Sequence, residues 1–122
     1  MKPIDVIYVE DDEQEAFVLT MGMRVQQVTI HHINRLDISE IDQLLNPPYD
    51  TMDAILLDAM LAGVSGVELA AALREAGDKR PIFLITAGEN PDAERLNRLA
   101  IGYIRKPVSF PDFAQTIRNS LD

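Results

Sequence analysis

The stretch Ala54-Ile55-Leu56-Leu57-Asp58 is a short apolar run that ends in a single carboxylate. Strands of a parallel sheet that is covered by helices on both faces read as continuous apolar runs, without alternating polar residues. The stretch therefore predicts a buried central strand with Asp58 at its carboxyl end. Four further runs have this character, although the first contains Asp5 and the second is weaker: 4–9, 28–33, 82–85 and 103–104.

Segments with helical periodicity separate these runs. The third predicted helix ends near Gly77, the fourth extends from about Asp92 to Ala100, and the last begins at Ser109, a residue type that caps helices. Because strand and helix alternate five times, we expect an α/β fold with a parallel sheet, right-handed crossovers and helices on both faces. The apolar faces are predicted from Phe17, Val18, Met21 and Val25 in the first helix and from Ile38, Ile41, Leu44 and Leu45 in the second.

Length and composition predict one domain over residues 1–122, with 47% hydrophobic residues to fill a core. The formal net charge of −9 argues against a nucleic-acid surface, which needs a basic patch. No apolar run approaches the roughly 20 residues that span a bilayer, and the chain has no cysteine for disulfides or thiolate chemistry. We expect a cytoplasmic protein without membrane insertion.

Polar residues follow the predicted strands at the edge where α/β sheets bind ligands. They are Glu10 and Asp11 after the first strand, Asp58 after the third, Thr86 after the fourth and Lys106 after the fifth. Carboxylate oxygens suit Mg²⁺, which usually binds one or two carboxylates together with phosphate oxygens. A partly desolvated Asp58 also needs a cationic partner, which Lys106 or a metal ion would provide. These residues predict a site for a divalent cation and a phosphoryl group.

The carboxylates and Thr86 also have ordinary structural interpretations. Glu10 and Asp11 open an acidic stretch that would complement the dipole of the first helix, and Asp58 could cap a turn. Thr86 could be only a β-former. The adjacent His31 and His32 should point to opposite faces of a strand, so we expect a structural role for them and no shared metal ion.

The chain resembles the receiver domain of bacterial two-component response regulators over essentially its whole length. The resemblance depends on four motifs in order: Val9-Glu10-Asp11-Asp12, Leu56-Leu57-Asp58-Ala59-Met60 followed by Gly63-Val64-Ser65-Gly66, Ile85-Thr86-Ala87, and Gly102-Tyr103-Ile104-Arg105-Lys106-Pro107. It implies the flavodoxin-like strand order 2-1-3-4-5. Two departures are Ala62, where the family usually has proline, and a short segment between Thr86 and Lys106.

The resemblance also implies a role for each site residue. Asp58 would accept a phosphoryl group from the phosphohistidine of a histidine kinase or phosphotransfer protein, and the domain would then act on a downstream protein target. Lys106 would neutralise charge on the phosphoryl group, while Thr86 and the amide of Ala87 would position it. Thr86 and Tyr103 would form the conformational switch. The ligands of Mg²⁺ would be Glu10, Asp11, Asp58 and the backbone carbonyl of Met60.

Two alternatives belong to other functional classes. A docking module with the same fold would never be phosphorylated, but it would not need the acidic residues, threonine and lysine together. An aspartate-dependent phosphohydrolase would carry a second aspartate two residues after the nucleophile, where this chain has Met60.

Overall fold

The computed structural model describes residues 2–88 and 92–121, and its main sheet has five strands. We number them β1 (Ile4–Val9), β2 (Val28–Ile33), β3 (Ala54–Asp58), β4 (Ile82–Thr86) and β5 (Ile101–Arg105). Their order across the sheet is β2-β1-β3-β4-β5, and all neighbouring strands are parallel. The predicted α/β fold class and the strand order 2-1-3-4-5 are confirmed.

The α-helices of the described residues are α1 (Glu13–Arg24), α2 (Gly66–Glu75), α3 (Ala93–Leu99) and α4 (Phe110–Leu121). The second predicted helix is instead a 3₁₀ helix, Ile38–Leu45, and a short 3₁₀ turn, Tyr49–Thr51, follows it. Prolines at 47 and 48 follow this segment and prevent it from continuing as a longer helix. None of the described helices is long and apolar enough to cross a membrane.

Each face of the sheet carries its own hydrophobic core. Helices α1 and α4 cover one face, where Tyr8, Leu19 and Phe113 are buried. Helices α2 and α3 and the longer 3₁₀ helix cover the other face, where Leu44, Leu69 and Leu96 are buried. Strand β3 is buried along its full length, as its apolar run predicted.

The apolar face predicted for α1 is wrong. Phe17, Val18, Met21 and Val25 are exposed, and α1 instead buries Ala16, Leu19 and Met23. Gly22 helps to explain this orientation, because its lack of a side chain lets α1 pack closely against α4. A Cβ on Gly22 would overlap the ring of Phe110 at the start of α4. Helix α1 therefore turns its large apolar side chains to the surface.

Glycine at position 66 brings α2 close to the end of β3. A Cβ on Gly66 would overlap the carbonyl oxygen of Asp58, so no larger residue fits without movement of the backbone. Between Asp58 and Gly66 the chain forms a two-residue antiparallel ladder, in which 60–61 pair with 64–65. Ser65 then caps α2, since its Oγ accepts a hydrogen bond from the amide of Val67 at 3.1 Å.

A buried ion pair stabilises the opposite end of the sheet. Asp78 Oδ2 lies 2.7 Å from Nη2 of Arg80, and Asp78 is only 6% exposed. Arg80 Nη2 also donates to the carbonyl of Leu44 at 2.7 Å, which connects the entrance of β4 with the 3₁₀ helix.

Candidate functional site

The carboxyl ends of the central strands bring Asp58 and Lys106 together. Asp58 is 5% exposed, and its Oδ2 lies 3.1 Å from Nζ of Lys106. The main chain sets this geometry, because the amide of Lys106 donates to the carbonyl of Thr86 at 2.8 Å and so holds the end of β5 beside the end of β4. The amide of Met60 donates to Asp58 Oδ1 at 2.8 Å, so both oxygens of the carboxylate have a donor.

Glu10 is almost completely buried at the end of β1, with 1% of its surface exposed. Its Oε1 accepts a hydrogen bond from the hydroxyl of Tyr8 at 2.9 Å, and its Oε2 accepts one from the amide of Asp12 at 3.2 Å. Burial, together with the neighbouring carboxylates of Asp58 and Glu15, raises the pKa of Glu10 to about 8. A cation bound next to Glu10 would favour the ionised form of this carboxyl.

Glu15 also belongs to this site, although the sequence analysis did not identify it. Its carboxylate oxygens lie 3.1 and 3.2 Å from Nζ of Lys106. Helix α1 begins at Glu13, so Glu15 is in the first turn and close to the edge of the sheet. The acidic residues at the start of this helix were a signal for a further site carboxylate, but only the orientation of α1 decides which of them faces Lys106.

Three carboxylates of the site fit a divalent cation. One oxygen each from Glu10, Glu15 and Asp58 lie within 4.8 Å of one another. Hard oxygen ligands of this type suit Mg²⁺. In the absence of a cation these like charges repel, and Lys106 is the ammonium that compensates Glu15 and Asp58.

Asp11 lies on the other side of the strand end from Glu10, as adjacent residues of an extended chain do. Its Oδ2 accepts a hydrogen bond from the amide of Ala62 at 3.1 Å, and it is not one of the three clustered carboxylates. Proline at position 62 would have no amide hydrogen to donate, so the departure from the family pattern permits this contact. That Asp11 binds Mg²⁺ stays a prediction.

The pKa values of two hydrogen-bond donors beside the carboxylates of the site, Lys106 and Tyr8, are raised. Partial burial alone would lower the pKa of Lys106, but its hydrogen bonds to Glu15 and Asp58 outweigh burial and raise it. Burial and the adjacent Glu10 carboxylate raise the pKa of Tyr8, so the Tyr8 hydroxyl keeps its proton. Both groups therefore act as hydrogen-bond donors to carboxylates.

The remaining predicted site residues differ in position and exposure, because Tyr103 lies in the middle of β5 and not at the carboxyl edge. Thr86 is 5% exposed at the end of β4, and Tyr103 is 46% exposed on β5. The side chain of Met60 is 82% exposed, so only the backbone of Met60 is close to Asp58.

His31 and His32 point to different partners, as the alternation of a strand predicts. Nε2 of His31 lies 2.9 Å from Oδ1 of Asp5, and Nε2 of His32 lies 2.6 Å from the carbonyl oxygen of Glu10. The two imidazoles do not converge on one ion.

A largely apolar groove opens beside the site, between α1 and the segment that follows β5. Its volume is about 430 Å³, and Glu15 and Lys106 line it together with Val18, Pro107 and Phe110. Val18 is continuous with the exposed apolar residues of α1, and we call this set the α1 patch: Phe17, Val18, Met21 and Val25.

The chain is similar in sequence and fold to known proteins. The family model for the response regulator receiver domain matches residues 6–118. The chain is similar to the phosphate regulon transcriptional regulatory protein PhoB of Rhizobium meliloti, with 32% identity over 95% of this chain and 51% of that protein. It is also similar to the transcriptional regulatory protein YvrH of Bacillus subtilis, with 34% identity over 94% of this chain and 48% of that protein. The chain thus spans about half the length of the curated relatives it matches.

Solved structures share the fold. The signal receiver domain of a putative LuxO repressor protein from Vibrio parahaemolyticus aligns with a TM-score of 0.80 and 18% identity, and the alignment covers 98% of this chain and 91% of that one. At this identity the likeness supports the fold alone.

Proposed function

Because this chain belongs to the response regulator receiver domain family, we propose that it is a phosphoacceptor in two-component signal transduction and that Asp58 accepts the phosphoryl group. The observation that carries this proposal is the contact of 3.1 Å between Asp58 and Lys106 at the carboxyl edge of the central strands. An ammonium beside a buried carboxylate is suited to an acceptor that must take up a dianionic group.

The transfer itself requires little of the protein beyond positioning and charge neutralisation. An oxygen of Asp58 attacks the phosphorus atom in line with the leaving group, and a new oxygen–phosphorus bond forms. The bond between phosphorus and the donor breaks, and the donor keeps that electron pair: a histidine nitrogen in a kinase, or the acetate oxygen in acetyl phosphate. Lys106 donates hydrogen bonds to the oxygens of the transferred group, while Thr86 and the amide of Ala87 position it.

We propose that the site binds Mg²⁺ through Glu10, Asp11, Asp58 and the carbonyl of Met60, and Asp11 must then turn away from the amide of Ala62. When bound, Mg²⁺ would neutralise charge on the phosphoryl oxygens. The cluster of Glu10, Glu15 and Asp58 oxygens within 4.8 Å supports a cation at this edge. Glu10, whose pKa is raised to about 8, must be ionised to bind it, so cation binding and proton release are coupled.

We further propose that Thr86 and Tyr103 form the switch. Thr86 is buried at the end of β4, the strand that pairs with the end of β3, and Tyr103 is exposed on the neighbouring strand β5. A phosphoryl group would favour the conformer in which Thr86 moves towards it and the Tyr103 ring turns inward. That change would alter the surface around α3, β5 and α4 that a downstream protein target recognises.

Receiver domains of this family interact with histidine kinases and downstream effector domains, and we propose the α1 patch as the surface for the phosphoryl donor. A donor protein must bring its phosphohistidine to Asp58, and the groove that Glu15 and Lys106 line connects the site with Val18. Apolar side chains at this position would be buried by a docked helix. We also propose that the protein is cytoplasmic, as the sequence predicts.

Incubation with acetyl phosphate and Mg²⁺ tests the acceptor. Intact-mass measurement should find one added phosphoryl group on the wild type and on Asp50→Asn, an exposed control, and none on Asp58→Asn. A docking module that is never phosphorylated would show no addition to the wild type, and an equal addition to Asp58→Asn would assign the acceptor elsewhere.

Transfer from a phosphorylated histidine kinase tests the α1 patch. Phe17→Ser should slow this transfer and leave phosphorylation by acetyl phosphate unchanged, because Phe17 is 65% exposed and outside the phosphoryl site. Leu121→Ser changes another exposed apolar residue on α4 and should leave both reactions unchanged. Equal transfer rates for Phe17→Ser and the wild type would refute the docking surface but not the acceptor.

A further inference from the structure

We propose that Tyr8 is a positioning residue that holds the Glu10 carboxylate in the orientation in which it binds a divalent cation. The inference rests on the cation site proposed above and assigns a role to a residue outside the predicted ligand set. Its basis is one contact, the hydrogen bond of 2.9 Å from the Tyr8 hydroxyl to Oε1 of Glu10.

The contact is buried, which makes it strong and selective. Tyr8 and Glu10 are each 1% exposed, so water does not compete for the bond. Glu10 follows directly after β1, and residues two apart in an extended chain point to the same side, which places the phenol beside the carboxylate. The ring of Tyr8 belongs to the core between the sheet and helices α1 and α4, so packing fixes the position of its hydroxyl.

Apart from the carboxylates of Asp58 and Glu15, with which Glu10 would share the cation, two further polar groups contact Glu10. Nε2 of His32 lies 2.6 Å from the Glu10 carbonyl oxygen, which restrains the main chain and not the carboxylate. The amide of Asp12 donates to Oε2 at 3.2 Å, a longer bond than that of Tyr8. The main chain of Glu10 is restrained, and Oε2 of Glu10 faces the amide of Asp12. The hydrogen bond from Tyr8 to Oε1 therefore sets how the carboxylate is turned towards Asp58 and Glu15.

Outer partners of this kind orient the ligands of metal ions, and their removal typically weakens metal binding 10- to 100-fold. A phenylalanine at position 8 would fill nearly the same volume and lose only the hydroxyl. The core alone therefore does not require tyrosine at this position, whereas the carboxylate does gain a donor from it.

Isothermal titration with Mg²⁺ tests the inference. Tyr8→Phe should raise the dissociation constant about tenfold, and Tyr49→Phe, at a half-buried tyrosine outside the site, should leave it unchanged. A double-mutant cycle separates positioning from packing. In a Glu10→Gln background the same Tyr8→Phe change should no longer alter the affinity, whereas a packing defect would weaken binding in both backgrounds.

A spectroscopic measurement on the wild type needs no substitution. With tyrosine labelled at Cζ, Mg²⁺ should shift the NMR signal of Tyr8 and leave that of Tyr49 in place. Unchanged affinity in Tyr8→Phe, or a static Tyr8 signal in protein that binds Mg²⁺, would overturn this inference alone. Failure of the wild type to bind Mg²⁺ would overturn the proposed cation site as well.

Discussion

Nζ of Lys106 lies 3.1 Å from Oδ2 of Asp58, although the two residues are 48 positions apart along the chain. The parallel pairing of β3 with β4 and of β4 with β5 brings the two strand ends to one edge. The contact therefore depends on the sheet and not on local sequence, and it gives the site its charge balance.

Lys106→Met should slow phosphorylation of Asp58 by acetyl phosphate roughly 100-fold, because the variant loses a preorganised donor to the phosphoryl oxygens. Lys79→Met, which removes an exposed lysine, is the control. A time course of intact mass measures both rates. A Lys106→Met rate within about twofold of the control would show that this ammonium does not stabilise the transition state.

Glu15→Gln should lower the pKa of Lys106. The hydrogen bond to Glu15 is a cause of the raised pKa of this lysine, and glutamine keeps the shape of the side chain but not its charge. An NMR titration of the lysine Cε signals measures the change. Glu13→Gln removes the same charge from the same turn of α1 and serves as the matched control, so equal Lys106 titration curves in the two variants would contradict the predicted pairing.

Without a divalent cation, the free energy of unfolding should fall as the pH rises from about 6 to about 8. Glu10 has a pKa of about 8 in the folded protein against an ordinary value of 4.5, so the folded state holds a proton that the unfolded state releases. This stabilisation is complete below the unfolded pKa and is lost as the pH rises through the folded pKa.

Urea unfolding in EDTA measures this dependence. Glu10→Gln should flatten the profile over this interval, because glutamine does not titrate. Parallel profiles for Glu10→Gln and the wild type would show that Glu10 does not hold this proton.

Gly66→Ala should reduce the free energy of unfolding by about 1 to 3 kcal/mol, the usual cost of overpacking. The added Cβ would overlap the carbonyl oxygen of Asp58, which is backbone and has little room to move. Alanine is a better helix former than glycine, so helix propensity predicts the opposite change. Gly88→Ala, where a Cβ meets nothing within 4 Å, is the stability control in a urea titration. A gain in stability for Gly66→Ala would contradict the close approach of α2 to β3.

Asp78→Asn should cost about 3 kcal/mol of unfolding free energy near neutral pH, because it leaves Arg80 without its buried partner. Burial alone would raise the pKa of Asp78, but the hydrogen bonds and charge of Arg80 outweigh it and lower the pKa. The stabilisation is therefore present above the ordinary carboxyl pKa and disappears as the pH falls through the lower folded value. Denaturation of this variant and of Asp50→Asn at neutral and acid pH measures the difference, and a cost that persists in acid would argue against the ion pair.

The sequence by itself determined the sheet and much of the site. Continuous apolar runs such as 54–57 indicate strands without reference to distant residues, because burial on both faces excludes polar side chains. Polar residues after those runs then had to share one edge of the sheet, and the contact between Asp58 and Lys106 follows that rule.

Tertiary structure alone decided which way the helices and side chains turn. The apolar pattern of α1 favoured burial of Phe17 and Val18, but close contact at Gly22 turned Ala16, Leu19 and Met23 inward. The same orientation brings Glu15 to Lys106, and alternation along the extended chain sends Asp11 towards Ala62 and Glu10 towards Tyr8. Periodicity identifies the possible faces of an element, whereas the choice between them is a packing energy that depends on residues far away in the chain.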